Sequence, residues 1–106
     1  MYREKWFYMY IVSNRSKTLY TGFTGNIKKR IYEHKTGALD GFTKRYKIDR
    51  LVYFERFKYA NSGINREKQV KRWTRIKKMR LIVSMNPTWS DLAQDWFPEL
   101  KEKANT

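Results

Sequence analysis

The 106-residue sequence predicts a single α+β domain in which a small three-stranded mixed or antiparallel sheet is flanked by helices. Three observations lead to this prediction. Three short runs are rich in β-branched and aromatic residues, two longer segments repeat apolar residues at helical spacing, and the chain length suits one hydrophobic core. We expect residues 1–97 to form the domain and the charged residues 98–106 to form a mobile tail.

The three apolar runs are the predicted strands. Residues 6–13 and 18–24 flank a short polar turn and are expected to pair as an N-terminal hairpin. Residues 51–57 are apolar enough to form a third, largely buried strand. These three runs would together make the sheet.

Helical spacing and capping residues locate the helices. The first helix is expected over residues 26–36, where Gly37 stops it, and a basic, glycine-rich loop holding residues 41–45 follows. A longer helix is expected over residues 61–84. Residues 90–96 are expected to form a short last helix, because a serine and an aspartate at their start suit an N-cap.

The charge balance indicates a polyanionic partner. The chain carries 24 Lys and Arg residues against 10 Asp and Glu residues, which gives a formal charge of +14. Self-repulsion of this size opposes a compact state, and a nucleic acid would relieve it.

Composition also disfavours several other classes of protein. The apolar run at residues 6–12 is about half as long as a membrane span, and no lipidation signal is present, so we expect a cytoplasmic protein without a membrane partner. The absence of cysteine excludes disulfides, thiolate zinc sites and a cysteine nucleophile. The single histidine, His34, argues against a metal site built from several histidines.

Tyrosines are concentrated in the predicted hairpin. A three-residue loop at residues 14–16 would place Tyr10 opposite Tyr20 and Tyr8 opposite Gly22, so that three phenols share one face. A two-residue loop would turn Tyr20 to the other face. Ordinary β-propensity also accounts for tyrosines in strands.

Arg30 and His34 lie beside the apolar stripe of the first helix. Ile27 and Ile31 define this stripe, and the spacing directs Arg30 and His34 over the sheet. An arginine in such a place needs an anionic partner. The partner is either a bound anion or an internal carboxylate, and in the second case His34 would simply bond a backbone group.

The predicted long helix carries one isolated carboxylate. Residues 66–80 hold eight basic residues and a single acid, Glu67. The apolar side of this helix is formed by Ile64, Val70, Trp73 and Ile76. Glu67 lies between the first two and is expected to point inward, where it would suit a hard divalent ion. Alternatively, Glu67 makes an ordinary i,i+4 surface contact with Lys71.

Basic residues around these positions are candidates for contacts with a phosphate backbone. They are Lys28 and Lys29 on the first helix, Lys44 and Arg45 in the loop, and Lys71, Arg72, Arg75, Lys77, Lys78 and Arg80 on the long helix.

Several short segments occur in a recognisable order along the chain. They are Tyr8-Met9-Tyr10, Tyr20-Thr21-Gly22, Asn26-Ile27-Lys28-Lys29-Arg30 with His34, and Glu67. Further segments at residues 41–45, 51–55, 66–73 and 85–89 extend the pattern. This order resembles the GIY-YIG nuclease family, and in particular its short single-domain bacterial members, over most of residues 6–97.

The resemblance implies a metal-dependent endonuclease that cleaves DNA, including structured or damaged DNA, with Mg²⁺ or Mn²⁺ as cofactor and a role such as DNA repair. It implies DNA rather than RNA as the partner. The catalytic positions would be Tyr8, Tyr10, Tyr20, Arg30 and His34. Glu67 would be the single metal ligand, and Asn86 would correspond to a late asparagine of the family with a structural or site role.

Three positions depart from the family pattern. Tyr8 stands where the family name has glycine, Thr21 where it has isoleucine, and Phe23 where some members have a lysine. The last change removes one cation that could activate a general base. The alternatives are therefore a non-cleaving nucleic-acid-binding module with the nuclease fold, or an RNA-binding accessory protein.

Overall fold

A computed structural model describes residues 4–39 and 41–100 and contains one three-stranded sheet within them. Strands β1 (Phe7–Ser13), β2 (Leu19–Thr24) and β3 (Arg50–Phe57) are arranged in the order β2-β1-β3, and both pairings are antiparallel. The predicted α+β class is confirmed. None of the helices in these ranges has the length and apolar character that a bilayer crossing requires.

The helices are α1 (Ile27–Thr36), α2 (Phe42–Arg45), α3 (Ala60–Lys71) and α4 (Arg75–Met85). Helix α1 matches its prediction because Asn26 caps it and Gly37 ends it. The Asn26 side chain accepts a hydrogen bond from the Lys29 N–H, and Gly37 takes the left-handed conformation, with φ of 72°, that ends many helices.

The central strand β1 divides the core into two layers because its side chains alternate between the faces of the sheet. Tyr10 and Val12 pack on one face against Ile31 of α1 and the C-terminal segment. Met9 and Ile11 pack on the other face against α3 and α4. All five side chains are fully buried, so the sheet has helices on both sides.

The predicted single helix over residues 61–84 is wrong, because the chain forms two helices separated at residues 72–74. The N–H groups of Arg72 and Trp73 bond carbonyls three residues back, which tightens the end of α3. The Thr74 hydroxyl then accepts a hydrogen bond from the Lys77 N–H and starts α4. Ile76 consequently leaves the predicted apolar side and is 64% exposed.

Two shorter segments also differ from expectation. Residues 41–45 were expected as a loop, but Phe42–Arg45 is a helical turn that packs through the buried Thr43. The expected helix over residues 90–96 is instead a series of turns. Asp91 organises these turns because its Oδ1 accepts hydrogen bonds from the N–H groups of Ala93 and of Leu51 on β3.

The expected boundary between the domain and its tail, at residue 98, lies within a segment that packs against the core. Residues 98–100 are helical, and Leu100 packs against the core layer that contains Tyr10. The rest of the predicted mobile tail, residues 101–106, lies outside the described residues.

Candidate active site

The hairpin register brings Tyr10 opposite Gly22 and places Tyr20 opposite Val12. The predicted pairing of Tyr10 with Tyr20 is therefore wrong by two residues. The connecting loop is longer than expected because the Lys17 N–H donates to the Asn14 carbonyl, 3.1 Å away, and Lys17 takes a φ of 61°. A shift of two residues preserves the face of each side chain, so Tyr10 and Tyr20 still share one side of the sheet.

Tyr8 also lies on this side but has a different neighbour from the one expected. It pairs with Thr24 rather than Gly22. Its ring packs edge-on against Phe54 of β3, with 6.1 Å between ring centres. Tyr8 is thus turned towards β3, while Tyr10 reaches over β2.

Gly22 is required by the position of the Tyr10 ring. A Cβ atom at residue 22 would lie 2.5 Å from both Cζ and the hydroxyl oxygen of Tyr10. No side chain fits at this distance, so the glycine allows the phenol to cross β2 at close range.

His34 joins the two tyrosines. Its Nε2 lies 3.0 Å from the Tyr10 hydroxyl oxygen in a buried hydrogen bond. The ring centres of Tyr10 and Tyr20 lie 5.6 Å and 5.8 Å from that of His34. The expected alternative, in which His34 only bonds a backbone group, does not describe this contact.

Arg30 lies one turn before His34 and completes the cluster. Its side chain interacts with the Tyr10 hydroxyl, and its charge favours the ionised phenol. Burial is the larger effect and raises the pKa of Tyr10 to about 12. Arg30 also lies near Glu33, with 3.3 Å between Nε and Oε1, but its buried Nε has no hydrogen-bond partner among the described residues.

Glu33 is a neighbour that the sequence analysis missed. The signal was present, because opposite charges three residues apart on a helix are close enough to pair. The Arg30–Glu33 pair partly satisfies the expectation of an internal carboxylate. About a third of each side chain is exposed, so the pair leaves Arg30 accessible to a second anion.

Burial and the Arg30 charge lower the pKa of His34 to about 4. The imidazole is therefore neutral at pH 7 and offers one donor and one acceptor nitrogen. Its Nδ1 is buried without a hydrogen-bond partner among the described residues. The Tyr10–His34 pair thus carries no charge at neutral pH.

Because His34 is the single histidine of the chain, its titration directly tests how strongly its surroundings lower its pKa. An NMR titration of the folded protein should give a midpoint near pH 4 for His34, against 6.5 for an ordinary histidine. Between these values the unfolded chain binds more protons, so the free energy of unfolding should increase as pH rises from 4 to 6.5. Over the whole interval, the free energy of unfolding should increase by on the order of 3 kcal/mol.

The control is His34→Gln, which removes the titrating group. Its free energy of unfolding, measured by urea denaturation, should depend less steeply on pH across the same interval. A midpoint near 6.5 for the native protein would show that His34 is not buried as described.

Glu67 lies on α3 and points inward, as its spacing from Val70 predicts. Its side chain is 15% exposed, and its Oε1 is buried without a hydrogen-bond partner among the described residues. The Lys71 Nζ lies 3.4 Å from this oxygen, so the expected i,i+4 pair is also present, without the geometry of a hydrogen bond. Inward orientation and pairing with Lys71 therefore coexist.

The structure joins Glu67 to the tyrosine cluster through Lys71. Helix α3 packs through Val70 on the sheet face opposite Ile31 of α1. Strand β2 is an edge of the sheet, and the Lys71 Nζ lies 5.9 Å from the ring centre of Tyr20 on that strand. Tyr10, Tyr20, Arg30 and His34 thus form a cluster, and Glu67 lies near it at this edge through Lys71.

A single buried carboxylate oxygen that accepts no hydrogen bond among the described residues fits a magnesium-like cation. Mg²⁺ keeps several waters and uses one or two protein carboxylates together with substrate phosphates. Within residues 4–39 and 41–100, no group of three or more acidic or histidine side chains is close enough to form a complete cage. Glu67 could hold such an ion through its buried Oε1, which accepts no hydrogen bond among the described residues.

A groove beside Arg30 could receive a phosphate group. It has a volume of about 280 Å³ and is lined by Thr24, Gly25, Asn26, Lys29, Arg30 and Glu33. Two of these side chains are cations at the start of α1, where backbone N–H groups also favour anions. The groove therefore adjoins the cluster on its accessible side.

The predicted phosphate-contacting residues are mostly exposed, but they do not form one helix face. Lys28 and Lys29 lie on α1, and Lys44 and Arg45 on α2. The break at residues 72–74 separates Lys71 and Arg72 from Arg75, Lys77 and Lys78. The basic surface therefore has patches on both sides of the sheet.

Phe23 has a packing role at the position where some family members have lysine. Its ring stacks on Phe7, with 6.1 Å between centres, and a Cβ at Gly63 of α3 would lie 2.8 Å from it.

Asn86 acts as a buried structural cap. Its Nδ2 donates to the carbonyls of Val52 and Ser90, and its Oδ1 accepts from the Ser90 N–H. Because both ends of the amide are occupied, Asn86 holds α4 to β3 rather than facing the cluster.

Comparison with known proteins agrees with the resemblance stated above. The model of the GIY-YIG catalytic domain matches residues 5–80. A UPF0213 protein from Syntrophus aciditrophicus is 40% identical over 81 residues, which is 76% of this chain and 92% of that protein. A UPF0213 protein from Natronomonas pharaonis is 37% identical over 75 residues, which is 71% of this chain and 88% of that protein.

A solved structure shows the same fold. The solution NMR structure of a UPF0213 protein from Bacillus halodurans superposes with a TM-score of 0.54 at 25% identity, covering 85% of this chain and 97% of that one. The match of the domain model spans most of the chain and includes Tyr10, Tyr20, Arg30, His34 and Glu67. The chain therefore belongs to the GIY-YIG family.

Proposed function

We propose that this chain is an endonuclease that hydrolyses phosphodiester bonds in DNA with the help of Mg²⁺ or Mn²⁺. The main support is the contact cluster of Tyr10, Tyr20, Arg30 and His34, with Glu67 at the adjacent sheet edge. Buried polar atoms in proteins nearly always have partners. Arg30 Nε, His34 Nδ1 and Glu67 Oε1 have no hydrogen-bond partner among the described residues, which is expected of groups that contact a substrate or cation.

Arg30 is the group that stabilises charge on the reacting phosphate. Hydrolysis increases negative charge on the phosphoryl oxygens, and a fixed guanidinium can meet this charge with two parallel hydrogen bonds. Arg30 lines the groove at the start of α1 together with Lys29, so a phosphate bound there would lie against both cations.

The two tyrosines have different environments and therefore different proposed roles. Tyr10 is fully buried with a raised pKa, so it remains protonated and positions His34 through their hydrogen bond. Tyr20 is only partly buried and lies beside the Lys71 ammonium group. Tyr20 is thus the better candidate to orient the attacking water and help deprotonate it.

Glu67 would hold the divalent cation, since it has the unpartnered inward oxygen. When bound, such an ion supplies positive charge for the leaving oxygen. Lys71 would then shift from its ion pair with Glu67, which its 58% exposed side chain can do without disturbing the core.

The proposal is tested by incubating the purified protein with single-stranded, duplex, flapped and branched DNA in the presence of Mn²⁺ or Mg²⁺. We expect endonucleolytic products from at least one substrate, and none when the metal is chelated. Tight binding without cleavage of any substrate would contradict the proposal.

The ion pair between Lys71 and Glu67 favours a second candidate function. A permanent pair would leave Glu67 unable to take a cation, and the chain would then bind nucleic acid without cutting it. Such a module would bind equally well with and without metal, and with either glutamate or glutamine at residue 67. An RNA-binding module would in addition prefer RNA over DNA of the same sequence.

Binding should depend strongly on salt. If the basic patches contact about six phosphates, affinity for DNA should fall roughly 10³-fold between about 50 and 200 mM salt. Fluorescence anisotropy with a labelled oligonucleotide measures this slope. Removing one exposed cation, as in Lys77→Ala, should reduce the slope by about one, and a flat salt response would rule out phosphate contacts as the source of affinity.

A further inference from the structure

A pair of aromatic rings is exposed on α2, away from the tyrosine cluster. Phe42 is 46% exposed, and Tyr46, which follows the last residue of α2, is 44% exposed. Their centres are 4.8 Å apart, and the Arg45 guanidinium lies 5.6 Å from the centre of the Tyr46 ring. The ring planes are tilted by 48° to each other, so the pair forms an exposed, angled apolar surface with a cation over the Tyr46 ring.

The exposed pair is held by well-made local contacts. Thr43, which lies between Phe42 and Tyr46 in the sequence, is buried, and its carbonyl accepts a hydrogen bond of 2.9 Å from the N–H of the buried Ile48. The Tyr46 N–H donates to the Phe42 carbonyl, and the Tyr46 carbonyl accepts a 2.8 Å hydrogen bond from Asn14 Nδ2 in the hairpin loop. The backbone therefore fixes both rings in an outward position.

A groove continues from Tyr46 to the hairpin loop. It has a volume of about 370 Å³, and its lining includes the basic residues Arg15, Lys47 and Arg50 with one acid, Asp49. The excess of positive charge suits a chain of phosphates. An aromatic surface that leads into a basic groove matches the alternating bases and phosphates of a single strand.

We infer that Phe42 and Tyr46 stack on unpaired bases and that Arg15, Lys47 and Arg50 contact the adjoining phosphates. Bases within a duplex are already stacked and cannot offer their faces to a protein ring. Resting on the proposed nuclease function, this inference assigns the substrate class: DNA with a single-stranded segment, such as a flap or a branch. Helix α2 follows closely after α1, whose last turn contains His34, so the stacking surface lies at the same end of that helix.

The test compares the native protein with the double variant Phe42→Leu/Tyr46→Leu, which keeps apolar bulk and removes the rings. Affinities for a labelled single strand and for a duplex of equal length are measured by anisotropy without metal. Affinity for the single strand should fall about tenfold, while affinity for the duplex should change less than about twofold. The control is Tyr59→Leu, because Tyr59 is 67% exposed but lies at the start of α3.

The outcomes separate this inference from the proposed function. Selective loss of single-strand binding supports the stacking site, even if no DNA is ever cleaved. Unchanged binding, or an equal loss for both DNA forms, overturns it, even if the native protein is an active nuclease. Thermal unfolding of each variant verifies the fold, and the single variant Tyr46→Leu should show an intermediate loss if the double variant is unstable.

Discussion

Replacing Arg30 with alanine should reduce DNA cleavage by roughly 10² to 10⁵-fold, with little change in DNA affinity. Arg30 lines the groove beside the tyrosine cluster, where we propose that its guanidinium meets the charge that develops during hydrolysis. We expect DNA affinity to come instead from many exposed cations. Single-turnover cleavage rates and anisotropy on the same substrate measure the two quantities separately.

Two further variants sharpen the result. Arg30→Lys keeps the charge but loses the planar pair of donors, and it should restore only part of the activity. Arg56→Ala removes an exposed arginine that stacks on Trp6, 4.0 Å from its ring centre, and should cleave at the native rate. Native activity in Arg30→Ala would exclude Arg30 from the reaction.

Glu67→Gln should abolish metal-dependent cleavage, a loss on the order of 10²-fold or more, while changing the free energy of unfolding by less than about 1 kcal/mol. The substitution keeps the side-chain volume and removes the anionic oxygen that has no hydrogen-bond partner among the described residues. Cleavage assays over a range of Mn²⁺ concentrations, together with calorimetric titration of Mn²⁺, test this result.

Glu55→Gln is the matched control because Glu55 is a similarly buried carboxylate, 23% exposed, whose two oxygens both accept hydrogen bonds. It accepts hydrogen bonds from Arg66 and from the Tyr53 hydroxyl. Its loss should destabilise the fold by about 1 to 3 kcal/mol and leave the cleavage rate of the folded protein unchanged. Equal cleavage by Glu67→Gln and the native protein in Mg²⁺ would exclude Glu67 as the metal ligand.

The local pattern of the sequence was enough to predict which way most site residues face. Alternation along β1 placed Tyr10 on one side of the sheet, and helical spacing directed Arg30 and His34 towards it. The inward direction of Glu67 followed from Val70, three residues later on the same helix. These predictions depend on backbone geometry over a few residues, which does not require knowledge of the tertiary fold.

Predictions that depended on the length of a connection were less successful. The hairpin register was wrong because Asn14 bonds both its own loop and Tyr46, and these contacts select a longer turn. The break before α4 was missed because Thr74 was treated as a residue inside a helix, although threonine is a common N-cap. The outward position of Phe42 could not be predicted, since aromatic residues in a short segment are usually buried.

The close contact between Gly22 and Tyr10 links folding of the hairpin to assembly of the cluster. If the strands slipped by two residues, the Tyr10 ring would meet the side chain of Tyr20 or Thr24 in place of a bare backbone. In such a mispaired hairpin, strand β2 could not approach the Tyr10 ring as closely. His34 would then lose its hydrogen bond to the Tyr10 hydroxyl. A misregistered hairpin would therefore be poorly packed and would lack the proposed reaction centre, which only correctly folded molecules would possess.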